Sequence, residues 1–152
     1  VITVQDAFRK FAGWDPIGDY DADRFNMDLV KKVEPGLPKN SPVVLKDYPA
    51  GEAALARLKP GNSSVAERWE LYICGIELAN AFTELTDVRE QKDRFEAAAA
   101  HRVALSKKVY PVDSQFMKAL ESGLPECGGV ALGIDRLVML FCDAGDIHEA
   151  GI

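Results

Sequence analysis

Apolar residues recur at Val4, Ala7, Phe8 and Phe11, a spacing of three and four that places them on one face of a helix. Gly13 and Pro16 end that element, and Asp19 to Asp23 forms an acidic linker. Phe25, Leu29 and Val33 predict a second short helix that stops before Pro35, Gly36 and Pro38. Pro42 to Tyr48 changes character. Val43, Val44 and Leu45 favour a strand, and Pro49-Ala50-Gly51 favours a turn. Ala53 to Leu58 is apolar enough to continue toward a core, and Lys59-Pro60-Gly61-Asn62-Ser63-Ser64 reads as a loop.

Between Glu67 and Phe82 the period becomes two. Trp69, Leu71 and Ile73 alternate with Glu70, Tyr72 and Cys74, which predicts a strand with two unlike faces. A tight turn at Cys74-Gly75 folds this run onto Ile76 to Ala81 as an antiparallel hairpin. After Thr86, Asp87 and Glu90 have the spacing of a capping box, and a helix is expected to about Leu105. Ser114 to Leu120 is a further short helix, stopped by Gly123 and Pro125. Gly128 to Ile134 is a glycine-punctuated strand running into a helix over Asp135 to Phe141, with Asp135 as its N-cap. Strand and helix do not alternate regularly, so the expected class is α+β, an antiparallel sheet flanked by helices.

Composition narrows the function classes. A chain of 152 residues, 47% apolar and 28% charged, has the make-up of a globular domain. Its net charge of −6 argues against a phosphate-tracking nucleic-acid binder, and no apolar run is long enough to span a bilayer. Cys74, Cys127 and Cys142 are widely spaced and form no CxxC clip, which suggests buried or half-buried thiols in a reducing, cytoplasmic setting. His101 and His148 have no evident nucleophile or metal-ligand partners. The chain opens on Val1 without methionine and closes on Glu149-Ala150-Gly151-Ile152, the pattern of a processed chain or of a part of something larger.

Two segments carry candidate chemistry. Glu77 lies in an otherwise apolar strand, Asn80 follows it, and Glu84 stands just past the strand's end. Directed toward one cavity, Glu77 and Glu84 would offer oxygen ligands to Mg²⁺ or a seat for a cationic substrate group. The plainer alternative puts Glu77 on an exposed sheet face and Glu84 at a helix start. The second segment is Gly133-Ile134-Asp135-Arg136, where bare backbone admits a flat or charged ligand and a guanidinium emerges in the first helical turn. Its alternative is ordinary helix–sheet packing with a surface arginine. Neither a P-loop nor a GxGxxG fingerprint is present.

Taken together, the segments carry a family resemblance. Gly-Val-Ala-Leu-Gly-Ile-Asp-Arg-Leu-Val-Met-Leu at 129–140 resembles motif 3 of class II aminoacyl-tRNA synthetases. Residues 68–87 resemble the strand pair that precedes it in the lysyl branch, and Asp47-Tyr-Pro-Ala50 with Ala54-Leu-Ala-Arg57 matches that branch upstream. Within the branch the likeness is greater to the elongation factor P lysine lysyltransferases, tRNA-independent paralogues. It rests on Ile76-Glu77-Leu78-Ala79-Asn80, on Leu120-Glu121-Ser122-Gly123-Leu124-Pro125, and on Ala131 where the tRNA enzymes have glycine.

The resemblance implies a ligase that activates a lysine-type amino acid, (R)-β-lysine, with ATP and Mg²⁺ as an adenylate. The acyl group then passes to a lysine of elongation factor P. It implies ATP contacts at Glu77, Leu78, Gly133 and Arg136, with Glu77 and Arg136 catalytic and Glu77 and Glu84 facing metal. It further implies amino-acid contacts at Glu84, Asn80 and Ala131, the methyl of Ala131 biasing the pocket between α- and β-amino acids. The parent is expected to be a cytoplasmic homodimer that neither binds tRNA nor enters a membrane. Motifs 1 and 2 are absent, so residues 1–152 are expected to be the C-terminal part of the catalytic domain and inactive alone. Two alternatives stay open: a fragment of lysyl-tRNA synthetase, and a synthetase-like protein that binds without catalysis.

Overall fold

The structure is a computed structural model that describes residues 1–150; Gly151 and Ile152, the end of the closing stretch, lie outside the described residues. Strand β1 (Ile2–Thr3) leads directly into α1 (Val4–Phe11), where Thr3 caps the helix by accepting from the Asp6 amide. Val4, Ala7 and Phe8 are its buried face, as their spacing predicts. Helix α2 (Ala22–Asp28), capped by Asp21, does not end before Pro35. It continues through a π-helical turn (Leu29–Val33) into a last turn, α3 (Glu34–Gly36). Proline at the start of a helical turn needs no N–H partner, so Pro35 is accommodated.

The sheet contains β1, β2 (Val43–Pro49), β3 (Leu58–Lys59), β4 (Asn62–Ile73), β5 (Ile76–Thr83) and β6 (Gly128–Leu132), in the order β1-β2-β4-β5-β6 with β3 beside β4. The class is α+β as expected, but the sheet is mixed: β1 runs parallel to β2, and the other pairs are antiparallel. The β4–β5 hairpin turns where the sequence places it, with Cys74 at φ 54° and Gly75 at φ 82°, the left-handed pair that a two-residue hairpin requires. The expected loop over 59–64 is instead a second hairpin. Lys59 pairs with Asn62 across Pro60-Gly61, and strand β4 begins five residues before the alternation becomes visible at Glu67.

Helices α1 and α2 cover half of one sheet face. Phe8 stacks on Phe25 at 4.7 Å, Trp14 meets Phe8 edge-on at 5.4 Å, and Val43, Leu45, Tyr48 and Tyr72 complete this core from the sheet. The other half of the face is left open beside the segment 50–56. Helix α4 (Val88–Ala104), capped by Asp87, braces that segment: Arg94 donates to the carbonyls of Ala54 (2.9 Å) and Ala56 (2.8 Å), and Gln91 is buried. Helices α5 (Ser114–Glu121) and α6 (Ile134–Cys142) complete the order. The N-cap of α6 is Gly133, and Asp135 falls in the first turn rather than at the cap. All three cysteines are free, but Cys74 and Cys142 are exposed, contrary to the expectation of burial. Among the described residues no helix is long and apolar enough to cross a membrane.

One buried carboxylate gives the helical layer a pH dependence. Asp28 accepts from Lys32 Nζ (2.7 Å) and from Trp14 Nε1 (2.9 Å). The hydrogen bond from Lys32 holds its carboxyl below the usual aspartate range against the opposing effect of burial, with Trp14 and Arg24 adding to it. A depressed native pKa contributes stability that is present above about pH 4 and lost as pH falls through the native value. Urea midpoints followed from pH 6 downward should therefore fall on the acid limb, and less steeply in Asp28→Asn. Parallel limbs for the two proteins would contradict this assignment.

Candidate active site

Register across β4, β5 and β6 assembles the site. Glu70 faces Asn80, which faces Ala131; on the next rung Arg68 faces Phe82, which faces Gly129. Directly opposed residues project to one side of a sheet, so these six share a face. A β-bulge between Leu71 and Tyr72 brings Glu77 opposite Tyr72 on that same face.

The centre of the face is a buried carboxylate. Glu70, 5% exposed, accepts from the hydroxyls of Tyr48 and Tyr72 (2.7 Å for Tyr72), from Arg68 Nη2 (2.8 Å) and from Asn80 Nδ2 (2.9 Å). Both phenols are pushed up in pKa, by burial first and by the Glu70 charge second, so they remain protonated donors. Arg68 is held on every side. Its Nη1 donates to the Glu52 carbonyl (2.8 Å), its Nε to Asn80 Oδ1 (3.3 Å), and its guanidinium lies 4.5 Å from the centre of the Tyr48 ring. The amide of Asn80 is thereby fixed from both ends.

Arg68 and Asn80 form one wall of an open cavity of about 550 Å³, completed by Ala53–Leu55, Phe82, Glu84 and Gly129–Ala131. Glu84 hangs at its rim, its backbone bridged to Ala56 and its amide donating to the Cys127 carbonyl (2.9 Å). Its carboxylate lies over Gly129 and makes no hydrogen bond or ion pair among the described residues. A half-buried, unpartnered carboxylate in a cavity that also presents apolar surface is suited to an organic ammonium group.

The other end of β5 is built differently. Arg136, from the first turn of α6, donates to the Glu77 carbonyl (2.6 Å) and reaches Glu77 Oε2 (3.3 Å). The Gly133 amide donates to the Leu78 carbonyl (2.9 Å). Glu77, Leu78, Gly133 and Arg136 therefore form one cluster, while Glu84, Asn80 and Ala131 form a second. Glu77 and Glu84 do not face one cavity as expected. They are seven residues apart along an extended strand, roughly 20 Å, and cannot share an ion. Among the described residues no three His, Cys, Asp or Glu side chains group as metal ligands. Glu77 alone fits a Mg²⁺ ion that arrives with a phosphate ligand and keeps most of its waters. Nearby, Glu34 is pushed up in pKa by burial and by the charges of Glu70 and Glu77, despite a hydrogen bond from Tyr72.

Sequence reasoning missed Arg68, Glu70, Tyr48 and Tyr72 as parts of the site. The available signal was the period-two run itself. Its polar members, Glu70 and Tyr72, occupy the buried face, while Trp69 on the other face is 37% exposed. Two tyrosines and an arginine within reach of one strand glutamate are the donors that make such a burial affordable.

Comparison with known proteins extends the resemblance to the whole chain. The sequence profile described as tRNA synthetases class II (D, K and N) matches residues 1–152, including the first 41, which the motifs left unassigned. A protein from Klebsiella pneumoniae (strain 342) named elongation factor P–(R)-beta-lysine ligase is 46% identical over 136 residues, 88% of this chain and 42% of that protein. Proteins of the same name from Proteus mirabilis (strain HI4320) and Sodalis glossinidius (strain morsitans) are each 50% identical, over 112 and 117 residues. Those matches cover 74% and 77% of this chain, and 34% and 36% of the respective relatives. The chain thus spans about two fifths or less of the relatives it matches.

The Glu70 network makes its own prediction. Glu70→Leu removes the acceptor of four donors and strands the Arg68 guanidinium, a loss of about 3–5 kcal/mol in unfolding free energy by denaturant titration. A loss under about 1 kcal/mol would mean that the network does not hold the sheet together.

Proposed function

The chain belongs to the class II tRNA synthetases of the D, K and N group, and from that membership we propose that it supplies one wall of the active site of an elongation factor P–(R)-β-lysine ligase. The observation that carries this reading is the unpartnered Glu84 carboxylate, set in a cavity whose floor is Ala131 and whose wall is the fixed Asn80 amide. The names of the relatives support the choice of amino acid and acceptor.

An amino acid lying along β5 with its side-chain amine at Glu84 directs its carboxylate toward the Glu77–Arg136 end of the strand. There Leu78 and Gly133 leave backbone against which a nucleotide can lie, and Arg136 offers positive charge to phosphate or a planar surface to adenine. The carboxylate oxygen attacks the α-phosphorus of ATP, the α–β phosphoanhydride bond breaks, and pyrophosphate leaves. The ε-amine of the acceptor lysine then attacks the acyl carbonyl. An amide bond forms, the proton is lost from nitrogen, and AMP departs. Both steps join groups that repel or crowd one another, so fixed charge and orientation carry the rate. Mg²⁺, held by Glu77 together with the phosphates, would neutralise the triphosphate.

The acidic balance of the chain supports a protein rather than tRNA as acceptor, and its free cysteines support a cytoplasmic enzyme. A homodimer for the longer protein rests on the family resemblance.

Two substitutions test the reading in a protein of the relatives' full length. Glu84→Gln removes the charge opposite the substrate amine and should raise KM for (R)-β-lysine in pyrophosphate exchange by about 10- to 100-fold. An unchanged KM would overturn the assignment of the amine to Glu84. Ala131→Gly should shift the relative rates of adenylate formation from α- and β-lysine, and a constant ratio would remove Ala131 from the specificity argument.

A further inference from the structure

The two glycine-class positions of β6 that face the cavity differ in a way that the reaction alone does not explain. Ala131 carries a methyl group, whereas Gly129, two residues earlier on the same face, carries none. A Cβ built at Gly129 would fall 2.5 Å from Glu84 Oε1 and 3.7 Å from Glu84 Cδ, with no other neighbouring group within 4 Å. The backbone of Gly129 lies outside the left-handed region, so an L residue is conformationally permitted there. The space that a side chain would take is taken by one thing, the tip of Glu84.

We propose that Gly129 is a positioning residue for the amine site: its missing side chain is the seat into which Glu84 Oε1 points, and this fixes where a primary alkyl-ammonium group is held. The inference rests on the reading that Glu84 binds the substrate amine. Other glycines show the contrast. A Cβ on Gly128 would meet the Phe82 carbonyl at 3.4 Å, and one on Gly133 would meet the Arg136 stem at 3.3 Å. Among the described glycines, only at Gly129 does the obstruction fall on the end of a flexible chain in the cavity. Substitution there leaves the fold intact, because the Glu84 side chain can rotate away, but it moves the carboxylate. The substrate stem, passing over the Ala131 methyl, then reaches an amine site displaced by about the width of a methyl group.

The experiment is a double-mutant cycle in a protein of the relatives' full length, read by pyrophosphate exchange and thermal unfolding. Gly129→Ala should leave the thermal midpoint within about 2 °C. It should raise KM for (R)-β-lysine about tenfold or more with the KM for ATP unchanged. Glu84→Asp alone shortens the reach and raises KM; combined with Gly129→Ala it retracts the carboxylate from the added methyl, so the double variant should be better than the product of the two single effects. A midpoint that drops beyond that range, an unchanged KM, or strictly multiplicative effects would each overturn the role of Gly129. Glu84→Gln separates the levels. If it leaves KM unchanged, the amine assignment itself fails; if it raises KM while Gly129→Ala does not, only the seat fails.

Discussion

The sheet depends on one buried negative charge being fully satisfied. Glu70 sits where β2, β4 and β5 meet, and its donors come from each: Tyr48 from β2, Arg68 and Tyr72 from β4, Asn80 from β5. A carboxylate taken out of water is costly by several kcal/mol unless its lone pairs are met, and here they are met by two neutral hydroxyls, one amide and one guanidinium. The consequence is rigidity at a chosen place. Arg68 cannot leave Glu70, Asn80 cannot rotate without losing bonds at both ends, and Tyr48 is clamped between the guanidinium and the carboxylate. The cavity wall is therefore set before any ligand arrives, which lowers the cost of ordering it on binding.

That rigidity gives β5 its use as a straight edge. At one end stand Glu77, Leu78 and their partners Gly133 and Arg136; at the other stands Glu84. Separation, rather than convergence, suits a reaction that joins an amino acid to a nucleotide end to end. In the proposed mechanism the charged groups at the two ends meet different molecules. The centre, where that mechanism would form the bond, is lined by Asn80 and Ala131, which bring no charge of their own. A chain spanning about two fifths or less of its relatives' length contributes this edge and its floor to the proposed reaction.

Local chemistry made parts of this legible in the sequence. Cys74-Gly75 between two alternating runs specified the hairpin, because only residues that tolerate left-handed backbone close a two-residue turn. Asp87 with Glu90 marked the start of α4 for an equally local reason. What failed to show was what depends on distant partners. Pro60-Gly61 read as loop because Lys59 and Asn62 pair across it only when β4 is already extended by the sheet. Which face of β4 is buried could not follow from alternation, since the more polar face goes inward, and it goes inward because Tyr48 and Asn80 arrive from other strands. The pairing of Glu77 with Glu84 was likewise a matter of spacing read without geometry: both lie near strand ends, and an extended chain keeps such ends apart.

Charge pairing also separates scaffold from binding group on this face. Glu70 has its donors, Glu77 has Arg136, and Glu34 shares the Tyr72 hydroxyl. Glu84 alone among these carboxylates has nothing, although Arg68 lines the same cavity. Arg68 is unavailable to it because Glu70 and the Glu52 carbonyl hold the guanidinium in place. Held there, the guanidinium makes no ion pair with Glu84. The buried network thus does two things with one set of bonds. It stabilises the sheet, and by holding the arginine that lines the cavity it keeps Glu84 open to a ligand that carries its own charge.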